Sequence, residues 1–149
     1  MNIIKVDTLD YAEFIAKSQV TMALETEDYV LDYERVKLGV HAVINDKQKG
    51  SYYIALIDNK PVACLLTVNE WSDWRNKTVL WIHSVYVEQD HRRKSIYKDM
   101  YTYLKNIVQE NDEYAGIRLY VDKTNQNASQ VYLKLGMESE HYHLFEWLK

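Results

Sequence analysis

Between Trp81 and Ile107 the chain reads WIHSVYVEQDHRRKSIYKDMYTYLKNI, and no other stretch limits the fold as much. Its first seven residues are dominated by β-branched and aromatic side chains and predict a buried strand. A short polar break follows. From Ile96 onward, Ile96, Met100, Tyr103, Leu104 and Ile107 fall at i, i+4, i+7, i+8 and i+11, the apolar stripe of a helix that packs on a sheet. The break delivers Arg92, Arg93 and Lys94 beside the first turn of that helix, where backbone N–H groups lack intrahelical partners and the dipole is positive. Such a turn suits a diphosphate, whose oxygens take the N–H groups while the cations neutralise it. A solvated basic helix start would look the same in sequence.

The remaining pattern supplies a sheet for that helix. Asn2 to Val6 reads as a short strand, and Phe14, Ile15, Val20 and Leu24 give a loose helical period from Asp10 to about Glu25. Val36, Val40, Val43 and Ile44 predict a second helix from Tyr33, with Gly50 as its terminator after a polar stretch. SYYIALID and PVACLLTV form an expected antiparallel hairpin turning at Asn59 and Lys60, with Pro61 first in its strand. The polar loop EWSDWRNK leads into TVLWIHSVYV; AGIRLYVD is a further strand, Asn125 to Leu135 a helix ended by Gly136, and HYHLFEWL a last strand. The order β-α-α-β-β-β-α-β-α-β implies an α+β fold, a mostly antiparallel central sheet with a β-α-β crossover and helices on both faces.

Length and charge narrow the classes. At 149 residues, without linkers, repeats or low-complexity tracts, the chain is expected to be one domain over residues 1–149. Lys and Arg number 18 against 22 acidic residues, so a net charge of -4 argues against nucleic acid and anionic membranes as partners and for a cationic one. A phosphate clamp built on HRRK with stacking aromatics is the nucleic-acid reading this charge disfavours. Cys64, alone in the apolar run KPVACLLTV, reads as a buried thiol in a reducing compartment. The N-terminus has no secretory pattern and no run reaches membrane-span length, so a cytoplasmic location is expected. The five histidines lack ligand-spaced partners, so no metal is expected.

Downstream, TNQNASQVYLKLGME sets Asn125, Ala128, Tyr132 and Gly136 at Asn-x-x-Ala-x-x-x-Tyr-x-x-x-Gly spacing, with Met137 after the glycine. Taken alone, Tyr132 would pass for packing before a glycine cap. Together with the basic turn, where Arg92, Ser95 and Tyr97 occupy the positions of an Arg-x-x-Gly-x-Gly/Ala pattern, the chain resembles the GNAT (GCN5-related) N-acetyltransferases over essentially its whole length.

The resemblance implies acetyl-CoA as co-substrate and direct attack by an amine in a ternary complex. It implies cofactor contacts at Val85, Tyr86 and Val87 on the strand, at Arg92, Arg93, Lys94, Ser95, Ile96 and Tyr97 in the turn, and at Asn125, Ala128 and Tyr132. The Tyr132 phenol would protonate the departing thiolate, being neutral at physiological pH. For the base, His83 lies just before the expected thioester position, with Glu70 the other candidate acting through water. Each also reads as structural, His83 as a hydrogen-bonded buried imidazole and Glu70 as a surface carboxylate. Glu25, Tyr29, Asp32 and Tyr33, with Trp71 and Trp74, are expected to line an aromatic, acidic acceptor pocket for a small-molecule or protein amine. A homodimer is compatible with this reading. The competing function is a CoA-binding sensor or partner module without catalysis.

Overall fold

The computed structural model describes residues 1–149, which separate into two compact units, Met1–Leu119 and Tyr120–Lys149. In the first unit five strands pair in sequence order: β1 (Asn2–Lys5), β2 (Ser51–Ile57), β3 (Lys60–Ser72), β4 (Lys77–Val87) and β5 (Tyr114–Leu119). All neighbours are antiparallel except β4 and β5, which run parallel as their crossover requires. That crossover is helix α3 (Ile96–Glu110), while α1 (Ala12–Glu27) and α2 (Tyr33–Asn45) lie between β1 and β2.

Strand alternation sorts the side chains. Tyr52, Ile54 and Leu56 of β2, Cys64 of β3 and Tyr86 of β4 form one buried cluster with Ala12, Ile15 and Ala16 of α1 and Val40 of α2. Tyr53, on the other side of β2, meets Tyr103 of α3 edge to face at 6.0 Å between centroids. The helices therefore cover both faces, as the sequence implied. Cys64 is buried as expected; desolvation pushes its thiol up to about 12, with Gln19 Nε2 3.9 Å from its sulfur.

Three local readings are corrected. The first hairpin turns on Asp58 and Asn59, both at positive φ (49° and 61°), the backbone of a two-residue turn matched to strand twist; Pro61 is thus second in β3, beside a register shift opposite Ala55 and Leu56. Gly50 does not end α2, which stops at Asn45. It sits at φ 140°, where a Cβ would come 2.5 Å from the Thr67 carbonyl oxygen, so its cause is close approach of β3. Residues 141–148 form no strand, because no ladder pairs them with another segment; the regular element of the second unit is the helix α4 (Gln126–Lys134).

Candidate functional site

Ser95, at φ 62° and ψ 9°, turns the chain into α3, and Arg93 also has positive φ, 63°. The left-handed region is costly for a side-chain-bearing residue, which explains why the pattern there favours glycine. The backbone N–H groups of Arg93, Lys94, Ser95, Ile96 and Lys98 find no acceptor within the chain; the first such bond is Asp99 N–H to the Ser95 carbonyl at 3.0 Å. Arg93 and Lys94 make no ion pair, and the Tyr97 ring stands against Tyr101, one helical turn on, at 6.4 Å. Tyr97 therefore extends along the helix. His91, just upstream, keeps Nδ1 buried with no partner.

The strand feeding this turn opens at the same end. Tyr86 pairs with Cys64 but His83 with Leu66, so Ser84 and Val85 face one residue of β3, and Ser84 takes φ 52°. This is a β-bulge, which unpairs backbone groups and bends its strand. On the opposite edge, β5 follows β4 only from Thr78 to Ile82, where Leu119 is the last partner. Val85, Tyr86 and Val87 thus lie on a β4 edge that β5 does not cover.

Arg92 is held inward. Its Nη2 lies 2.5 Å from Glu25 Oε2, its Nε donates to the Val87 carbonyl at 2.9 Å, and its guanidinium sits 5.7 Å from the Tyr86 ring centroid. Arg92 therefore braces α1 to the turn, and the Glu25 carboxylate expected in an acceptor pocket is engaged with it. Asp32 is likewise engaged, capping α2 by accepting from Arg35 N–H at 2.7 Å.

On the face of the sheet shared with α1 and α2, Glu70, Trp81, His83 and Arg118 come together. Glu70 Oε2 accepts from Trp81 Nε1 at 2.9 Å, Glu70 Oε1 from Arg118 Nη1 at 3.0 Å, and the Trp81 and His83 rings are 6.1 Å apart. Each Glu70 oxygen has a donor, whereas burial lowers the His83 pKa and favours a neutral imidazole. Trp71 projects from the face opposite Glu70 and is 63% exposed; Trp74, in the hairpin tip, is 87% exposed and Tyr29 61%. The structure does not gather these three with Glu70 and His83 into a closed pocket.

In the second unit Asn125 caps α4, its Oδ1 accepting from Ala128 N–H at 3.1 Å. At the other end Gly136, φ 84°, donates to the Leu133 carbonyl at 3.0 Å and Met137 to the Tyr132 carbonyl at 3.1 Å, a Schellman closure. The Asn, Ala, Tyr and Gly of the motif thus define a helix capped at both ends, with Tyr132 in its last turns. Burial raises the Tyr132 pKa, keeping the phenol protonated.

The family model described as Acetyltransferase (GNAT) family matches residues 17–137. The chain belongs to the GNAT acetyltransferase family. Among solved structures it is similar to a possible acetyltransferase from Clostridium difficile 630, at 38% identity and TM-score 0.93 over 99% of this chain and 97% of that one. An aminoglycoside acetyltransferase from an uncultured soil metagenomic sample shares the fold at 20% identity and TM-score 0.75, covering 99% and 96% of the two chains. So does a ribosomal-protein-alanine N-acetyltransferase from Brucella melitensis biovar Abortus 2308, at 14% identity and TM-score 0.80 over 99% of each chain. Comparison with the curated proteins gives no match.

For a GNAT acetyltransferase, the residues that sequence reasoning missed are Ser84, Trp81 and Arg118. Only the bulge marks Ser84, and a bulge depends on the partner strand; Trp81 and Arg118 join Glu70 through contacts 11 and 48 residues apart. Because Ser95 holds a glycine conformation, Ser95→Gly should keep the turn and raise unfolding free energy in urea by about 0.5–1 kcal/mol, the left-handed strain relieved less the added chain entropy. A loss of stability would show that the Ser95 hydroxyl holds the turn.

Proposed function

We propose that the protein moves an acetyl group from acetyl-CoA to a primary amine by direct attack. The observation that carries this reading is the continuity of the uncovered β4 edge with the row of unpartnered N–H groups at the start of α3. Arg93, Lys94 and the N–H groups of Ser95 and Ile96 would hold the diphosphate, and Val85 to Val87 the arm that leads to the thioester. Acetyl-CoA supplies the activated acyl group.

An alkylamine of pKa near 10.4 is neutral in only about one part in 2,500 at pH 7, so a proton acceptor or a desolvating surface is needed. His83, half-buried with a lowered pKa, is neutral at that pH and is our base; Glu70, engaged by Trp81 and Arg118, orients its surroundings instead. As the C–N bond forms and the C–S bond breaks, the amine proton would pass to the His83 imidazole, and the departing thiolate would take the phenolic proton that the family motif assigns to Tyr132. The expected acidic lining is largely engaged elsewhere, with Glu25 on Arg92 and Asp32 capping α2. Acceptor attraction therefore rests less on bulk negative charge. Among fold neighbours, one is an aminoglycoside acetyltransferase and one acts on ribosomal-protein alanine, so both small and protein amines belong in a substrate panel.

Thiol release from acetyl-CoA across such a panel should show turnover that Tyr132→Phe lowers roughly a hundredfold while thermal stabilisation by acetyl-CoA persists. Acetyl-CoA binding without turnover on any amine would favour a binding module instead; unchanged turnover in the Phe variant would remove Tyr132 from the chemistry.

The base has its own signature. Since burial lowers the His83 pKa, kcat/KM should rise with pH through an ascending limb centred below 6.5 and level off by neutrality, and His83→Gln should abolish that limb. Survival of the limb in the Gln variant would exclude His83 as base.

A further inference from the structure

On the sheet face opposite His83, a cavity of about 190 Å³ opens between β1, β2, β3, the end of α3 and the start of β5. Its wall includes Lys5, Lys47, Tyr53, Asn69 and Tyr114, with Ile107 of α3 on the apolar side. None of these belongs to the acyl-transfer machinery: Tyr53 alternates with the core residues Tyr52 and Ile54, and Asn69 with Glu70.

Tyr53 is the informative residue. It is only 9% exposed, burial pushes its phenol up to about 12 so that it remains a donor, and its hydroxyl makes no hydrogen bond within the chain. The hydroxyl oxygen is not sealed in the core, so on a residue that lines the cavity it is accessible to an occupant. The side chains of Lys5, Asn69 and Tyr114 likewise have no hydrogen bond or ion pair within the chain, and Lys47 is 3.7 Å from Asp7 Oδ1. Two ammonium groups against one carboxylate leave the rim net positive. The cavity depends on Gly50 in its wall, where a Cβ would strike the Thr67 carbonyl.

We propose that this cavity is a second ligand site, for a small carboxylate with a compact apolar body. A cavity of about 150 Å³ accommodates a benzene ring, so the volume here suits a ring or a branched chain of that size. The carboxylate takes the Lys5 ammonium and the Tyr53 and Tyr114 phenols, and the body rests on Ile107. Ile107 lies on the helix whose first turn carries the open N–H groups, so an occupant contacts the far end of the element that forms the diphosphate cradle.

Benzoate is the probe, with benzyl alcohol as its uncharged counterpart, each titrated into the full chain and followed by amide chemical shifts. Saturable shifts centred on Gly50, Tyr53, Asn69 and Tyr114 are expected for benzoate alone. Lys5→Met should weaken binding about tenfold, and Tyr53→Phe by about two- to tenfold. Because the Tyr53 hydroxyl has no partner in the free protein, Tyr53→Phe should leave the melting temperature unchanged or higher, which separates lost ligand contact from lost stability. No saturable shift at about 10 mM benzoate, shifts centred elsewhere, equal binding of benzyl alcohol, or full affinity in both variants would each overturn the proposal.

Discussion

Strand β4 has to pair on both sides along its first half and on one side along its second. Its parallel ladder with β5 ends at Ile82, and the bulge at Ser84 and Val85 follows at once, so that the backbone beyond leaves the regular sheet. An open sheet edge is ordinarily a hazard for aggregation. Here it runs into a turn held in left-handed backbone at Arg93 and Ser95, and then into the unpartnered N–H groups of α3. Two strained residues and a bulge are local costs that the well-packed core beneath must offset. Tyr86, buried beside Cys64 and under Arg92, ties the open stretch to that core.

Arginines organise what surrounds this strand. Arg92 joins the end of α1 to the turn through Glu25, and Arg118 joins β5 to β3 through Glu70 with Trp81 between. Partly exposed ion pairs of this kind contribute little stability singly. Their geometric effect is larger, since each fixes a carboxylate that would otherwise be a mobile charge near the sheet. On that face burial lowers the His83 pKa, toward the neutral form that can accept a proton.

Much of this was legible in the sequence because it is periodic. The α3 stripe, the alternation of β2 to β4 and the two caps of α4 depend on residues at most a few turns apart, and Gly136 ends α4 as its position implied. What escaped depends on partners far along the chain. Gly50 looked like a helix end because the local rule sees only α2, whereas Thr67 sets its conformation. The Glu25–Arg92 contact spans 67 residues and reassigns both members. Trp71 sits beside Glu70 in sequence but on the other face of β3, a consequence of strand alternation. HYHLFEWL alternates like a strand, yet alternation cannot supply a ladder partner.

The account stands on the open β4 edge and the α3 turn forming one continuous cofactor surface. Backbone hydrogen exchange with and without acetyl-CoA tests it directly, because amides that lack acceptors in the chain exchange with water until a ligand takes them. The account predicts slowed exchange at Arg93, Lys94, Ser95 and Ile96 together with Val85 and Val87, whose N–H groups alternate with that of Tyr86 and point away from β3. Saturating acetyl-CoA that protects neither group, or protects only residues elsewhere, would contradict it.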